Sequence, residues 1–116
     1  MTVVMVATGT ATVAAGPAER ERVLRVLRRH EAELRALGVT RLRLFGSMAR
    51  GEAGRESEVD LIAEIDPDAD FSLIDHVGLE YRLADLLGRP VEISTAPWKM
   101  PPTMRRRVEA DAVEVL

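Results

Sequence analysis

The chain has 116 residues, enough for one domain with one modest core. Its net charge of −3 at pH 7 gives no global case for nucleic-acid binding, so no direct nucleic-acid contact is expected. It has no cysteine, which excludes disulfides and thiolate metal sites and fits a reducing cytoplasm. No apolar run reaches transmembrane length, so no membrane association is expected. Aromatic residues are limited to Phe45, Phe71, Tyr81 and Trp98, so the core must be built from Leu, Val, Ile and Ala.

Residues 1–16 read MTVVMVATGTATVAAG, small and apolar with uncharged side chains. They lack the basic start of a signal peptide. They read as a loose N-terminal extension or an added edge strand, with a mis-set start or a partner-binding segment as alternatives. A single domain is then expected over residues 17–116. Pro17 opens a helix, since its fixed φ suits the first turn, and Glu19 and Glu21 favour the positive end of the helix dipole. Val23, Leu27, His30, Leu34 and Leu37 recur at helical spacing, which predicts one helix up to Gly38. His30 lies on that apolar stripe and reads as a structural histidine. Arg25, Arg28 and Arg29 read as a solvated face.

Residues 42–45 form a short apolar strand, Gly46-Ser47 a tight turn, residues 48–53 a short helix and residues 58–65 a second strand. Alternation puts Val59, Leu61, Ala63 and Ile65 on one face, and Glu58, Asp60, Ile62 and Glu64 on the other. Asp66-Pro67-Asp68 is a turn. Ser72 is the expected N-cap of a helix over residues 72–87, with Leu73, Val77, Tyr81, Ala84 and Leu87 as its buried stripe and Gly88 closing it. A third strand follows at residues 91–94, with Glu92 facing opposite to Val91 and Ile93. Residues 96–102 form a Pro-interrupted loop carrying Trp98, which reads as a core cap or a partner-binding anchor. A last helix covers residues 103–110 and bears Arg105, Arg106 and Arg107, either an exposed face or contacts to nucleotide, RNA or an acidic partner. Residues 113–116 add a short strand. The α-β-α-β-α-β-α order predicts an α/β (α+β) fold, a small mixed sheet with helices on one face and an open polar face on the other.

Glu58 and Asp60 stand side by side at the start of a strand, just after a Gly-Ser turn. Like charges on one face repel unless a positive charge sits between them. A divalent cation held by Glu58 and Asp60, and by Glu92 as a third carboxylate, answers that need. Phosphoryl chemistry uses such a centre, because two metals roughly 3.5–4 Å apart stabilise the entering and leaving oxygens. Gly46 lets backbone approach phosphate closely. Ser47 offers a hydroxyl beside backbone N–H groups, and Arg50 offers charge-assisted phosphate contacts. The bland alternatives are a plain strand-to-helix turn at Gly46-Ser47, a solvated Glu92 and a surface Arg50.

At these residues the sequence resembles the DNA polymerase beta-like nucleotidyltransferase superfamily, and within it the small minimal nucleotidyltransferases, or MNT proteins. The shared signature is Gly-Ser, a spacer, then a carboxylate, any residue and Asp; here Gly46-Ser47 is followed by Glu58-Val59-Asp60. FGSMARGEA, LADLLGRPVEIST and the Arg-rich C-terminal segment are similar too, so the likeness covers about residues 20 to 116. It implies the polymerase beta-like fold, catalytic and metal roles for Glu58, Asp60 and Glu92, and nucleotide contacts for Gly46, Ser47 and Arg50. It implies Mg2+ as the ion and ATP as the nucleotide. It implies transfer of AMP to a partner protein, a HEPN-family toxin for which this chain is the antitoxin. Homo-oligomerisation stays open. The family usually has Asp at the first and third carboxylate positions, where this chain has Glu58 and Glu92. That departure motivates the alternative of a degraded nucleotidyltransferase-fold antitoxin that acts by binding alone. A small-molecule nucleotidyltransferase would need a substrate domain, and a plain structural domain would not respond to Mg2+ and ATP.

Overall fold

The structure is a computed structural model that describes residues 16–96 and 99–116. The expectations for residues 1–15 and for Trp98 lie outside the described residues. The elements are α1 (Gly16–Arg29), α2 (Glu31–Ala36), β1 (Val39–Phe45), α3 (Gly46–Ala49), β2 (Val59–Ile65), α4 (Leu73–Leu87), β3 (Val91–Ser94), α5 (Pro102–Asp111) and β4 (Val113–Glu114). The four strands form one mixed sheet in the order β3-β2-β1-β4. β1 runs antiparallel to both β2 and β4, and β2 runs parallel to β3.

The alternation read from β2 holds. Val59, Leu61 and Ala63 are buried on the main core face with Leu42, Leu44 and Ile93. Against them lie Val23, Leu24 and Leu27 of α1, Leu34 of α2, and Leu79, Leu83 and Leu87 of α4. On the second face, register aligns Arg43, Ile62 and Ser94 in one row and Phe45, Asp60 and Glu92 in the next. This face is polar, yet α5 covers part of it. Arg43 is buried there and donates from Nη1 to Glu109 of α5 at 3.2 Å. Ile62 and Val108 are buried outside the main core cluster.

Two local expectations are corrected. The single helix up to Gly38 is two helices, broken at His30, whose φ of −104° and ψ of 20° leave the helical basin. A continuous helix would send the His30 N–H to the Val26 carbonyl. Instead the His30 ring nitrogen Nδ1 lies 2.8 Å from that carbonyl, while the backbone N–H bonds Leu27 O at 3.0 Å. The side chain thus replaces its own backbone donor and turns the chain. It is structural, as expected. The second correction concerns α4. Its capping box is present, with Ser72 and Asp75 bonded reciprocally, and Gly88 ends it in the left-handed conformation. But its buried stripe is Leu79, Leu83 and Leu87, whereas Leu73 is 77% exposed, Val77 42% and Tyr81 74%. The helix carries two apolar stripes, and only one can meet the sheet.

A charge cluster locks α1 to the rest. Glu19 is 3% exposed. It accepts from Arg22 Nε at 2.7 Å, Arg22 Nη2 at 2.8 Å and Arg89 Nε at 2.6 Å. Arg22 also donates to the Leu87 carbonyl at the end of α4, at 2.7 Å. The hydrogen bond from Arg22, and then that from Arg89, hold the Glu19 carboxyl below its usual value, against the opposing effect of burial. A carboxylate with a depressed folded value adds stability that is complete above its unfolded value and is lost as pH falls through the folded one. Glu19→Gln should therefore lower unfolding stability by about 3 kcal/mol near neutral pH, because two guanidinium groups lose the carboxylate charge they share. That deficit should shrink as the pH drops below about 4.3. Urea titrations across this range read the deficit directly; one that stays constant into acid would contradict the assignment.

Candidate active site

The site forms where β1 ends and β2 and β3 begin. Antiparallel pairing sets Phe45 opposite Asp60, and parallel pairing sets Asp60 opposite Glu92. Asp60 is thus the central residue of a three-strand row, and Glu58 stands just before the same strand. The chain leaves β1 through Gly46 at a φ of +77°, a conformation that L side chains avoid. A Cβ on Gly46 would lie 2.8 Å from Asp60 Oδ2. Glycine is therefore required twice here, for the turn and for the close approach of backbone to carboxylate.

Glu58, Asp60 and Glu92 each bring one carboxylate oxygen within 4.8 Å of the others. Asp60 is half-buried, and Glu58 and Glu92 are exposed. Burial, and after it the negative charges of Glu58 and Glu92, push the Asp60 carboxyl above its ordinary value. A hard, all-oxygen donor set with unbalanced negative charge fits Mg2+ or a similar divalent ion. The three carboxylates expected from sequence are thus brought together.

The other expected residues lie nearby. Ser47 is in the single turn of α3, where its carbonyl accepts from the Glu52 N–H at 2.9 Å. Arg50 follows α3 and donates to Glu52 at 3.0 Å and to Asp111 of α5 at 2.8 Å, tying that turn to the C-terminal helix. Gly46 and Arg50 share a cavity of about 180 Å³ with Phe45, Met104 and Arg107. A second cavity of about 290 Å³ reaches Glu92 past Phe45, Ser94, Met100 and Met104. Phe45 and Met104 line both hollows. Sequence reasoning missed Arg89 and the burial of Glu19. The one available signal was an arginine directly before a strand-opening proline, which does not announce burial.

The nucleotidyltransferase domain family matches the chain over residues 27–114. The chain belongs to that family. A candidate protein adenylyltransferase of Methanocaldococcus jannaschii is 37% identical over 79 residues, covering 68% of this chain and 82% of that protein. The protein adenylyltransferase MntA of Thermococcus cleftensis is 36% identical over 74 residues, 63% of this chain and 73% of that protein. A solved structure of a candidate minimal nucleotidyltransferase is 36% identical, with a TM-score of 0.56 over 83% of this chain and 88% of that one. The same fold recurs in one chain of the solved complex of tri-AMPylated Shewanella oneidensis HEPN toxin with MNT antitoxin, at 14% identity and a TM-score of 0.55 over 80% and 71% of the two chains. The mixed sheet and flanking helices of this nucleotidyltransferase are thus those of the minimal members.

Because burial and the charges of Glu58 and Glu92 disfavour the charged form of Asp60, Asp60→Asn should raise the melting temperature of the metal-free protein while abolishing divalent-ion binding. Thermal melts in excess chelator and Mn2+ calorimetry measure the two effects. A lower melting temperature in chelator would contradict the crowding of charge at Asp60.

Proposed function

We propose that this nucleotidyltransferase transfers AMP from ATP to a tyrosine hydroxyl of a partner protein in a Mg2+-dependent reaction, and that the partner is a HEPN-family toxin it neutralises in the cytoplasm. The observation that carries the reading is the convergence of Glu58, Asp60 and Glu92 beside the Gly46 turn, on a face with no second domain among the described residues to hold an acceptor. The relatives named as protein adenylyltransferases support AMP transfer to protein, and the HEPN–MNT complex of the same fold supports the partner.

Glu58, Asp60 and Glu92 are the residues that would hold the ion. Bound Mg2+ supplies Lewis-acid stabilisation of the charge that builds on the attacked phosphate and the departing pyrophosphate. Gly46 leaves room for phosphate against backbone, Ser47 offers a hydroxyl donor, and Arg50 lies in the Gly46 cavity as a cation for the triphosphate. The acceptor oxygen attacks the α-phosphorus and forms the new O–P bond. The bond from that phosphorus to the bridging oxygen breaks, and pyrophosphate leaves with its electron pair. In this reading Glu92 also takes the acceptor proton.

The exposed ridge of α4 adds support for a protein partner. Leu73, Ile74, Val77 and Tyr81 form an apolar surface around Gly78, a mid-helix glycine at which a Cβ would meet nothing within 4 Å. A second hollow joins Val77 and Tyr81 to Pro90 and Val91, one residue from Glu92. Asp70 and Asp85 lie exposed near the two ends of the ridge, and Arg82 beside it is committed to Glu33 at 3.0 Å. Either two-fold pairing of this helix with a second copy would set acid against acid. The ridge therefore suits a different protein, with an apolar surface edged by Lys or Arg.

The second reading is an antitoxin that acts by binding alone, motivated by glutamate at both exposed carboxylate positions. The extra methylene of Glu58 keeps the charge but shifts where the oxygens sit. Glu58→Asp should therefore raise the AMP-transfer rate about tenfold, the equivalent of about 1.4 kcal/mol, with little change in ATP affinity. Asp60→Ala should abolish transfer. Labelled ATP, Mg2+ and a co-expressed HEPN partner provide the assay; a slower Glu58→Asp enzyme would mean that the site is built around glutamate, and no transfer by either protein would favour the binding-only antitoxin. Ile74→Glu with Tyr81→Glu should separate the two proteins in size-exclusion chromatography, and undiminished co-elution would remove α4 from the interface.

A further inference from the structure

The segment that delivers Glu58 to the site has almost no apolar anchor. Between buried Ala53 and buried Val59, residues 54–56 are exposed and Ser57 is half-exposed. Its own bonds are few. Gly54 N donates to Ser57 Oγ at 2.8 Å, and Ser57 N to Gly54 O at 3.3 Å. What grips it is one side chain. Arg89 is 7% exposed, and its Nη1 lies 2.9 Å from Gly54 O, 3.2 Å from Arg55 O and 2.9 Å from Ser57 O. The loop is wrapped around the guanidinium. Its Nε is turned to Glu19 at 2.6 Å, so the fork cannot rotate without breaking a buried ion pair.

The third of those carbonyls matters most. Ser57 C=O belongs to the peptide plane that joins Ser57 to Glu58, so Arg89 fixes the orientation in which Glu58 starts. The next residue is held from the same place, because Val59 N donates to Pro90 O at 2.9 Å. Glu58 is thus bracketed by two bonds to residues 89 and 90. Glu92 follows two residues after Pro90, in β3 and in register with Asp60. One short stretch of chain therefore sets Glu58 and Glu92 relative to each other.

We propose that Arg89, oriented by Glu19, is a positioning residue for the carboxylate centre: its guanidinium fixes the loop over residues 54–57 and thereby the Glu58 carboxylate, and so sets the affinity for the divalent ion. This rests on the reading of Glu58, Asp60 and Glu92 as a divalent-ion site. Lysine cannot replace it, since a single ammonium cannot serve Glu19 and three loop carbonyls in the same fixed plane. Partners one shell away from ligands commonly set metal affinity by tenfold or more.

The test measures Mn2+ affinity by calorimetry on folded protein, well below its melting temperature, beside thermal melts in chelator. Arg89→Lys should weaken Mn2+ binding about tenfold. The paired replacement Glu19→Met with Arg89→Met removes the two buried members of the cluster together and leaves the more exposed Arg22 its bond to the Leu87 carbonyl; removing a buried pair as a unit is often neutral or favourable for stability. It should recover melting temperature relative to Arg89→Met alone, yet leave Mn2+ binding weak, because the loop carbonyls still lack their donor. Mn2+ affinity equal to wild type in either the Lys variant or the pair would overturn the proposal while leaving the carboxylate site standing. No Mn2+ binding by the wild-type protein would overturn both.

Discussion

Three carboxylates repel one another at the centre of this protein, and much of the fold can be understood as what holds them together. The penalty falls on Asp60, which is half-buried and flanked by Glu58 and Glu92. Nothing in a hydrophobic core asks for that arrangement. It persists because three strands fix it from outside. Phe45 and Glu92 are locked opposite Asp60 by backbone pairing on both sides, so Asp60 and Glu92 cannot drift apart without unzipping the sheet. Strain of this kind, imposed by surroundings that over-determine the geometry, is what a preformed ion site requires.

The frame around those strands is correspondingly stiff where it matters. β3 is an edge strand, and it carries Glu92. An edge strand presents unpaired backbone groups that invite another chain. Here α4 occupies those of Ile93. Glu80 accepts from Ile93 N at 2.8 Å, and the His76 ring nitrogen Nε2 donates to Ile93 O at 2.8 Å. The residue next to Glu92 is thereby bonded to α4, and the polar side of that helix faces the strand edge. Its exposed apolar ridge is a consequence of the same orientation. On the opposite face, Arg50 bridges the α3 turn to α5 through Asp111, so the C-terminal helix borders the site.

Much of this was legible in the sequence because it depends on periodicity and turn chemistry. Alternation in β2 predicted its buried face correctly, and the Gly46-Ser47 turn with Glu58, Asp60 and Glu92 predicted the cluster. Ser72 and Gly88 marked the ends of α4. What could not be read was which of two apolar stripes on α4 faces inward, since Leu73-Val77-Tyr81 and Leu79-Leu83-Leu87 both have helical spacing. The break at His30 depends on one ring nitrogen finding the Val26 carbonyl. The burial of Glu19 and Arg89 depends on contacts across 70 residues of chain. Pattern reports average local preference; the choice of stripe and the buried pair are decided by tertiary contact, and the break by one specific side-chain bond to a carbonyl four residues back.

The two glutamates gain meaning from where they stand. Asp60 occupies the crowded central position, against Gly46 backbone that leaves no room for even one added Cβ. Glu58 and Glu92 flank it at exposed positions, where a longer side chain has space to fold back over the centre. The short carboxylate sits where room is scarce, and the long ones sit where reach is free. A longer side chain, however, brings an additional torsion and so a less fixed oxygen. The bracket of Arg89 and Pro90 around Glu58 stiffens the backbone on the side where the side chain has loosened. Backbone rigidity and side-chain length thus act in opposite directions on one oxygen position, and the working geometry of the site is set by their balance.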